Sequence, residues 1–297
     1  WSPFMIVYNW SDGSGSGWDR FLRRIGKAPV VYDPDMVDSS IENITNHLEY
    51  LGYYGSSVNS EISVKKKRVT VTYDVHLGSR FPISDITYVL PKRGEFRQDF
   101  LRDTAELGIT KGDYLSEAIL ETLSETSSAR MRNLGYFDFS KNNYFFEADT
   151  LSIPDSAKLE LIINEYTRNE SSKDAEPIRR YYIGNVDISY PKSLKIKEKI
   201  LTSLNTVKPG EVYSEDVVNK TYSRLSELRL FSSVNIGMTP RDTNLVDCSI
   251  SLTQSKLQGF KVNLEGSTNS SGLLGISPQL SYYHKNIFRG GEWLNLS

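Results

Sequence analysis

Cysteine is almost absent from this sequence: Cys248 is the only one in 297 residues, so no internal disulfide framework can staple the chain. Histidine is equally scarce, and His47, His76 and His284 lie in unrelated segments without the carboxylate spacing of a metal site. No window reaches the ~18 consecutive apolar residues of a membrane-crossing helix, which leaves barrel strands open. Neither charge sign dominates: 35 Lys and Arg face 37 Asp and Glu, and a net charge of −2 points to no nucleic-acid partner. The opening Trp1-Ser2-Pro3 has neither a starting Met nor the succession of a signal peptide, and reads as a processed or trimmed piece. What remains, 38% hydrophobic and 24% charged, is the composition of a globular chain.

Self-similarity is the strongest signal present. A strand of strict alternation recurs three times, as Val69, Val71, Tyr73, Val75 and Leu77, then Leu159, Leu161 and Ile163, then Val246, Cys248, Ile250 and Leu252. The period of two places each apolar set on one face, and makes Cys248 a small buried hydrophobe. Across a polar hairpin, a second extended run precedes each: Val58 to Val64, Asp138 to Phe146 and Ser233 to Thr239. Before that run lies a helix ending on Leu51-Gly52-Tyr53-Tyr54, Leu134-Gly135-Tyr136-Phe137 or Leu228-Arg229-Leu230-Phe231. Gly past a helix suits a left-handed C-cap, and the aromatic after it can fold back over the helix into the core. The third copy lacks the Gly, so a different cap is expected there.

The first of these helices carries an apolar stripe of Val37, Ile41, Ile44, Leu48 and Leu51, with His47 at its border as a boundary side chain. In the other two copies the helix begins after Ser116-Glu117 and Ser214-Glu215, where a capping hydroxyl and an acidic first turn suit the positive end of the dipole. A shorter, earlier helix fits each unit: Trp18, Phe21, Leu22 and Ile25; Phe96, Phe100 and Leu107; Ile196, Ile200 and Leu204. An extended segment leads each. Ile83, Ile86 and Tyr88 match Ile183, Val186 and Ile188 in spacing, which suggests a shared bulge, and Phe4 to Tyr8 takes this place in the first unit.

The chain therefore reads as an α+β protein of three tandem β-α-α-β-β modules at 1–79, 80–168 and 178–256. Residues 169–177 form a solvated linker without apolar period. A three-stranded sheet has one face to bury, and two helices cover it. From 257 to 297 no helix intervenes, and Phe260, Val262 and Leu264, then Leu274, Ile276, Leu280 and Tyr282, then Leu294 and Leu296 alternate with polar residues. That meander fits either a half-buried soluble sheet or the opening strands of an outer-membrane barrel, whose strands show apolar side chains to lipid.

Asn286-Ile287-Phe288-Arg289-Gly290-Gly291-Glu292 resembles the short turn between early barrel strands in the BamA/TamA family of outer-membrane insertion proteins. The three modules resemble that family's polypeptide-transport-associated (POTRA) domains, with Tyr182-Ile183-Gly184-Asn185-Val186 and Leu134-Gly135-Tyr136-Phe137 matching common signatures. The stretch from Trp1 to Asp33 resembles the lipid-anchored TamA-like branch, which implies an N-terminal lipid. The resemblance implies a Gram-negative outer-membrane protein whose POTRA region faces the periplasm and leads into a barrel truncated here. Implied partners are nascent outer-membrane proteins and periplasmic or outer-membrane assembly proteins. In such domains the strand after the second helix lies at the sheet edge, where unpaired N–H and C=O groups can take an extended client as a further strand. The residues expected on these edges are Val58 and Ile62, Phe139 and Tyr144, and Val234 and Ile236.

Other chemistry is weakly represented. Asp12-Gly13-Ser14-Gly15-Ser16-Gly17 lacks the Lys-Ser/Thr of a phosphate loop and reads as a flexible loop. Lys65-Lys66-Lys67-Arg68 reads as a solvated hairpin turn, and Asp33 before Pro34 as a helix cap. No nucleophile-and-base constellation stands out, so a non-enzyme without metal or cofactor is expected. A two-partner-secretion-type transporter and a non-catalytic periplasmic scaffold or adhesin are the alternatives that share this architecture.

Overall fold

In the computed structural model, the described residues are all but 1, 2, 29, 67, 93, 103, 105, 106, 166–176, 242, 243, 269–273 and 297. The linker expected at 169–177 lies outside them apart from Pro177, as does Lys67 of the basic turn. The chain divides into two compact units, one of Trp1–Phe81 with Tyr114–Ala118 and one of Pro82–Asp113 with Ile119–Ser297.

The first unit runs α1 (Pro3–Asn9), α2 (Gly17–Ile25), α3 (Pro34–Tyr50), β1 (Ser57–Lys65) and β2 (Arg68–His76). The expectation of a strand over Phe4 to Tyr8 is corrected here, because that segment is helical. A five-residue apolar run carries no period of its own, Pro3 presets a helical φ at the first turn, and packing against α2 decides the outcome. Asp33 caps α3 as expected, accepting from the Asp35 N–H at 3.1 Å. The hairpin β1–β2 pairs Val58 with Val75, Ile62 with Val71 and Val64 with Val69, turning at Lys66. It stands as a two-stranded sheet.

The glycine-rich loop before α2 is ordered by an anion that the chain itself supplies. The Asp19 carboxylate is buried and accepts from Gly13 N–H at 3.1 Å, Gly15 N–H at 3.2 Å and the Ser11 hydroxyl, with Arg23 at 3.3 Å. Positive φ at Gly13 and Gly15 turns those N–H groups inward. The Ser11 hydroxyl foremost, with these N–H groups and Arg23, holds the Asp19 carboxyl below the usual carboxylate range.

The second unit holds two β-α-α-β-β modules and a meander. The first is β3 (Ile83–Val89), α4 (Phe96–Arg102), α5 (Glu117–Asn133), β4 (Tyr144–Asp149) and β5 (Ala157–Ile163), with sheet order β3-β5-β4. The next is β6 (Tyr182–Ser189), α6 (Glu198–Leu204), α7 (Glu215–Glu227), β7 (Phe231–Pro240) and β8 (Leu245–Gln254), with order β6-β8-β7. In both, the leading strand runs parallel to the last and the hairpin partner antiparallel. The shared spacing of the leading strands does correspond to a shared irregularity, between Ile83 and Asp85 and between Ile183 and Val186. The short helices start or stop inside the expected stripes, since Leu107 lies beyond α4 and Ile196 before α6.

Alternation does its work on the central strands. Val246, Cys248, Ile250 and Leu252 of β8 are buried beneath Leu201 of α6 and Leu225 of α7 in one core. Burial pushes the Cys248 thiol up to about 11, with Asp187 adding to the shift, consistent with a packing role. The helix ends also follow one plan. Gly52 and Gly135 take positive φ, and Tyr53 and Tyr136 N–H groups reach back to the Leu48 and Met131 carbonyls. In the third copy the expectation of a different cap is corrected, because Arg229 itself adopts φ +53° at the same place.

The meander comprises β9 (Gln258–Thr268), β10 (Leu274–Lys285) and β11 (Trp293–Leu296), paired in the order β11-β10-β9. Phe260, Val262, Leu264, Leu280 and Leu296 are exposed, so this ribbon keeps an uncovered apolar face, and no closed barrel is formed among the described residues. The turn between β10 and β11 explains its own sequence. Asn286 takes φ +71° and accepts from Gly291 N–H at 3.1 Å, while Glu292 Oε2 accepts from Gly290 N–H at 3.1 Å and Phe288 N–H at 3.3 Å. Asn286 also donates to the Lys195 carbonyl at 3.2 Å, and Lys197 N–H to the Arg289 carbonyl at 3.1 Å, which seats the turn against the segment leading into α6.

Candidate strand-addition edges

An extended peptide can join a sheet only where a strand has one side unpaired. Central strands β5 and β8 are paired on both sides, so each three-stranded sheet offers two edges. The leading-strand edge is partly occupied by the chain itself. Gly112 N–H donates to the Ile83 carbonyl and Ile83 N–H to that of Asp113, both at 2.8 Å. Gly210 N–H and Ile183 N–H repeat the pattern with Ile183 and Glu211 carbonyls. The opposite edges, β4 and β7, follow the long helices and have no strand partner on their outer side among the described residues. In the first unit β1 holds the corresponding place, and β2 has no parallel neighbour among the described residues.

The six residues expected on these edges fall unequally. Val234 and Ile236 lie on β7 with side chains packed on the core, and Val58 lies buried on β1 while Ile62 on the same strand is half-exposed. Tyr144 opens β4, but its ring is buried and its hydroxyl donates to Ser127. Phe139 is corrected: it precedes a 3-10 turn at Lys141–Asn143, and the strand begins only at Tyr144. Its ring sits 4.9 Å from that of Phe96 in the module core. The capping pair Ser140 and Asn143 bends the chain there, a local signal that the apolar run masked. The outward-facing side chain on this edge is Phe145, which alternation supplies one residue after Tyr144.

A polar cluster that the sequence does not reveal joins the two modules of the second unit. Asp99 of α4, 3% exposed, accepts from Tyr136 Oη at 2.6 Å, from Arg102 at 3.1 Å and from Arg180 just before β6. Burial, reinforced by the neighbouring carboxylate, raises the Tyr136 hydroxyl well above the ordinary phenol range, so it stays a donor. Phe137 then stacks edge-on against Tyr181 and Tyr213, with ring centroids 5.7 and 5.0 Å away. Arg132 pairs with Glu215 at 2.9 Å, and Asn133 Nδ2 donates to Asp216 at 2.7 Å. The Gly135 backbone completes the joint by accepting from Tyr181 N–H at 2.8 Å. A helix-end signature therefore serves as the seam between modules. Pairs as far apart as Asp99 and Arg180 carry no spacing signal.

Among the described residues no group of three or more His, Cys, Asp or Glu side chains is placed to hold a metal ion, and no helix is long and apolar enough to cross a membrane.

Against known proteins, residues 19–78 match the family model for POTRA, the surface antigen variable number repeat. No curated protein sequence matches the chain. Among solved structures, BamA from Haemophilus ducreyi lacking POTRA domains 1–3 aligns with a TM-score of 0.52 at 14% identity, over 73% of this chain and 36% of that one. BamA POTRA3–5 from Haemophilus influenzae aligns at 0.44 and 13% identity, over 77% and 84% of the two chains. CdiB from Acinetobacter baumannii aligns at 0.37 and 14% identity, over 90% of this chain and 47% of its own. The chain thus spans about a third of the first of these proteins and about half of the last. Residues 19–78 thus carry a POTRA match, and the chain shares the fold of the aligned part of the Haemophilus ducreyi BamA structure.

Proposed function

We propose that this chain is the periplasm-facing POTRA region of an outer-membrane protein assembly or insertion factor, with modules at 1–79, 80–168 and 178–256, and that it holds clients by strand addition along β4 and β7. The observation that carries this reading is that each three-stranded sheet leaves the strand after its long helix unpaired on its outer side, among the described residues, while its other edge is partly filled by the chain. Backbone pairing supplies affinity there with little demand on sequence, which suits a factor that handles many clients. The apolar face of the C-terminal ribbon supports insertion in a bilayer as part of a barrel. No covalent chemistry is required of any residue in this reading.

Photoreactive side chains at Phe145 of β4 and Asn235 of β7, introduced in a Gram-negative periplasm, test it. Capture of nascent outer-membrane proteins from these positions, and its loss when Pro replaces a β7 residue, is the expected result. Capture that is equal from an exposed helix position such as Tyr222 would remove the case for edge pairing.

A further inference from the structure

α2 leaves an apolar face uncovered. At ~100° per residue, Trp18, Phe21 and Ile25 fall within an arc of about 60°, Arg20 and Arg24 fall on the opposite arc, and Lys27 follows just beyond the helix end. The three apolar side chains are 68%, 49% and 45% exposed, while the contacts of this segment with α1 run through other residues: Gly26 approaches Tyr8 closely, Arg23 lies over the Tyr8 ring at 5.9 Å, and Lys27 N–H donates to the Phe4 carbonyl at 3.0 Å. Neighbouring α1 and the residue after it add Phe4, Ile6 and Trp10 to the exposed apolar surface. The sign of the charge is equally one-sided. Residues 1–28 carry Arg20, Arg23, Arg24 and Lys27 against Asp12 and Asp19, a net of +2 on a chain whose total is −2. Asp19 is buried in its own loop and paired with Arg23 at 3.3 Å, which leaves Arg20, Arg24 and Lys27 against Asp12, the same net of +2.

We infer that the α1–α2 segment is an interfacial element that lays Trp18, Phe21 and Ile25 into the headgroup boundary of a bilayer carrying anionic lipid. A short helix with Trp and Phe on one face and Arg on the other, followed by Lys27, has the composition of a surface-seeking helix, and the basic side matches an anionic headgroup layer. A protein partner would leave three same-sign guanidinium and ammonium groups without a stated counter-charge; a lipid surface supplies one continuously. This inference stands apart from client binding, since it uses neither β4 nor β7.

The test uses the 1–297 chain with Trp1, Trp10 and Trp293 replaced by Phe, so that Trp18 is the sole reporter. Vesicles of phosphatidylethanolamine with 30% phosphatidylglycerol, about an arbitrary but ordinary anionic share, should blue-shift its emission, and shallow brominated lipid should quench it. Neutral phosphatidylcholine vesicles should bind several-fold more weakly, and R20E/R24E should weaken anionic binding by about fivefold or more per reversed residue. F21S/I25S should abolish the blue shift while circular dichroism stays unchanged. Vesicle binding with unchanged Trp18 emission would assign membrane contact to the exposed C-terminal ribbon and overturn the inference. Emission already blue-shifted without lipid would overturn it too, either because α2 covers its own hairpin or, where the shift grows with concentration, because a second copy covers it.

Discussion

The first and third modules share one element order after their leading segment, yet they bury very different amounts. In the third, β8 is flanked on both sides, and its four inward residues are sealed beneath α6 and α7. In the first, β2 has no strand neighbour besides β1 among the described residues, and Val69 and Val75 stay exposed although their alternation is as strict. The buried apolar residues of the first unit's helices and hairpin are Leu22, Val37 and Val58. The difference shows what the parallel leading strand does: it widens the sheet until two helices have a face to cover, and a two-stranded ribbon alone is marginal in water. Alternation is a necessary condition for a core, and a flanking strand makes it sufficient.

Five measurements break or sharpen that contrast. The largest effect belongs to the seam between the two modules of the second unit. Asp99→Ala strips Arg180 and Tyr136 of a buried partner and should cost about 3–5 kcal/mol in denaturant unfolding, whereas loss of under ~1 kcal/mol would mean the cluster is incidental. Next, Leu225→Ala at the third module's core should cost about 2–5 kcal/mol, and Val37→Ala in α3 about half of that or less. Equal costs would erase the contrast between thick and thin cores. In hydrogen exchange, the β1–β2 amides should open at lower free energy than those of β8.

The helix ends give a smaller difference. Gly135→Ala meets φ +105° and puts a Cβ 2.7 Å from Val212 Cγ1, so it should destabilise by about 1–3 kcal/mol. Arg229→Ala changes nothing in an already left-handed residue except a guanidinium 4.7 Å from the Trp293 ring, and should stay within about 1 kcal/mol. The remaining effect is alkaline. The Cys248 thiol ionises near 11 when folded against an ordinary 9.0, and burial, aided by Glu215, pushes the Tyr213 hydroxyl from 10.0 up to about 12. The unfolded chain therefore sheds these protons first, so stability is full below pH 9 and falls as pH rises toward 11 to 12, by roughly 1–2 kcal/mol per group. A flat stability curve over that window in a Cys248→Ala comparison with the parent chain would remove the thiol from the account.

Much of the architecture was legible because repetition made weak local signals reinforce one another. The alternating strands, the helix starts at Glu117 and Glu215 and the shared irregularity of the leading strands follow from local patterns, although the capping role expected of the Ser214 hydroxyl is corrected: it donates to Asn133 Oδ1, which accepts from Asp216 N–H instead. What sequence could not settle depends on competition in space. Phe4 to Tyr8 is apolar enough for either a strand or a helix, and α2 tips it to helix. Asp138 to Phe146 looks extended, yet Asn143 bonds back to Ser140 and delays β4 by several residues, which moves Phe139 from edge to core. The candidate edges could be placed on strands from pattern alone. Their partial closure by 112–113 and 210–211, and the Asp99 cluster between modules, join residues too far apart in sequence for any spacing rule to pair them.

Arg229 lies between two commitments: its backbone is held in a left-handed turn after α7, and its guanidinium rests on Trp293 of β11. Together with the Asn286 clasp on Lys195, this fastens the β10–β11 turn and β11 to the third module at two points. That end of the ribbon therefore follows the third module instead of swinging on a slack hinge.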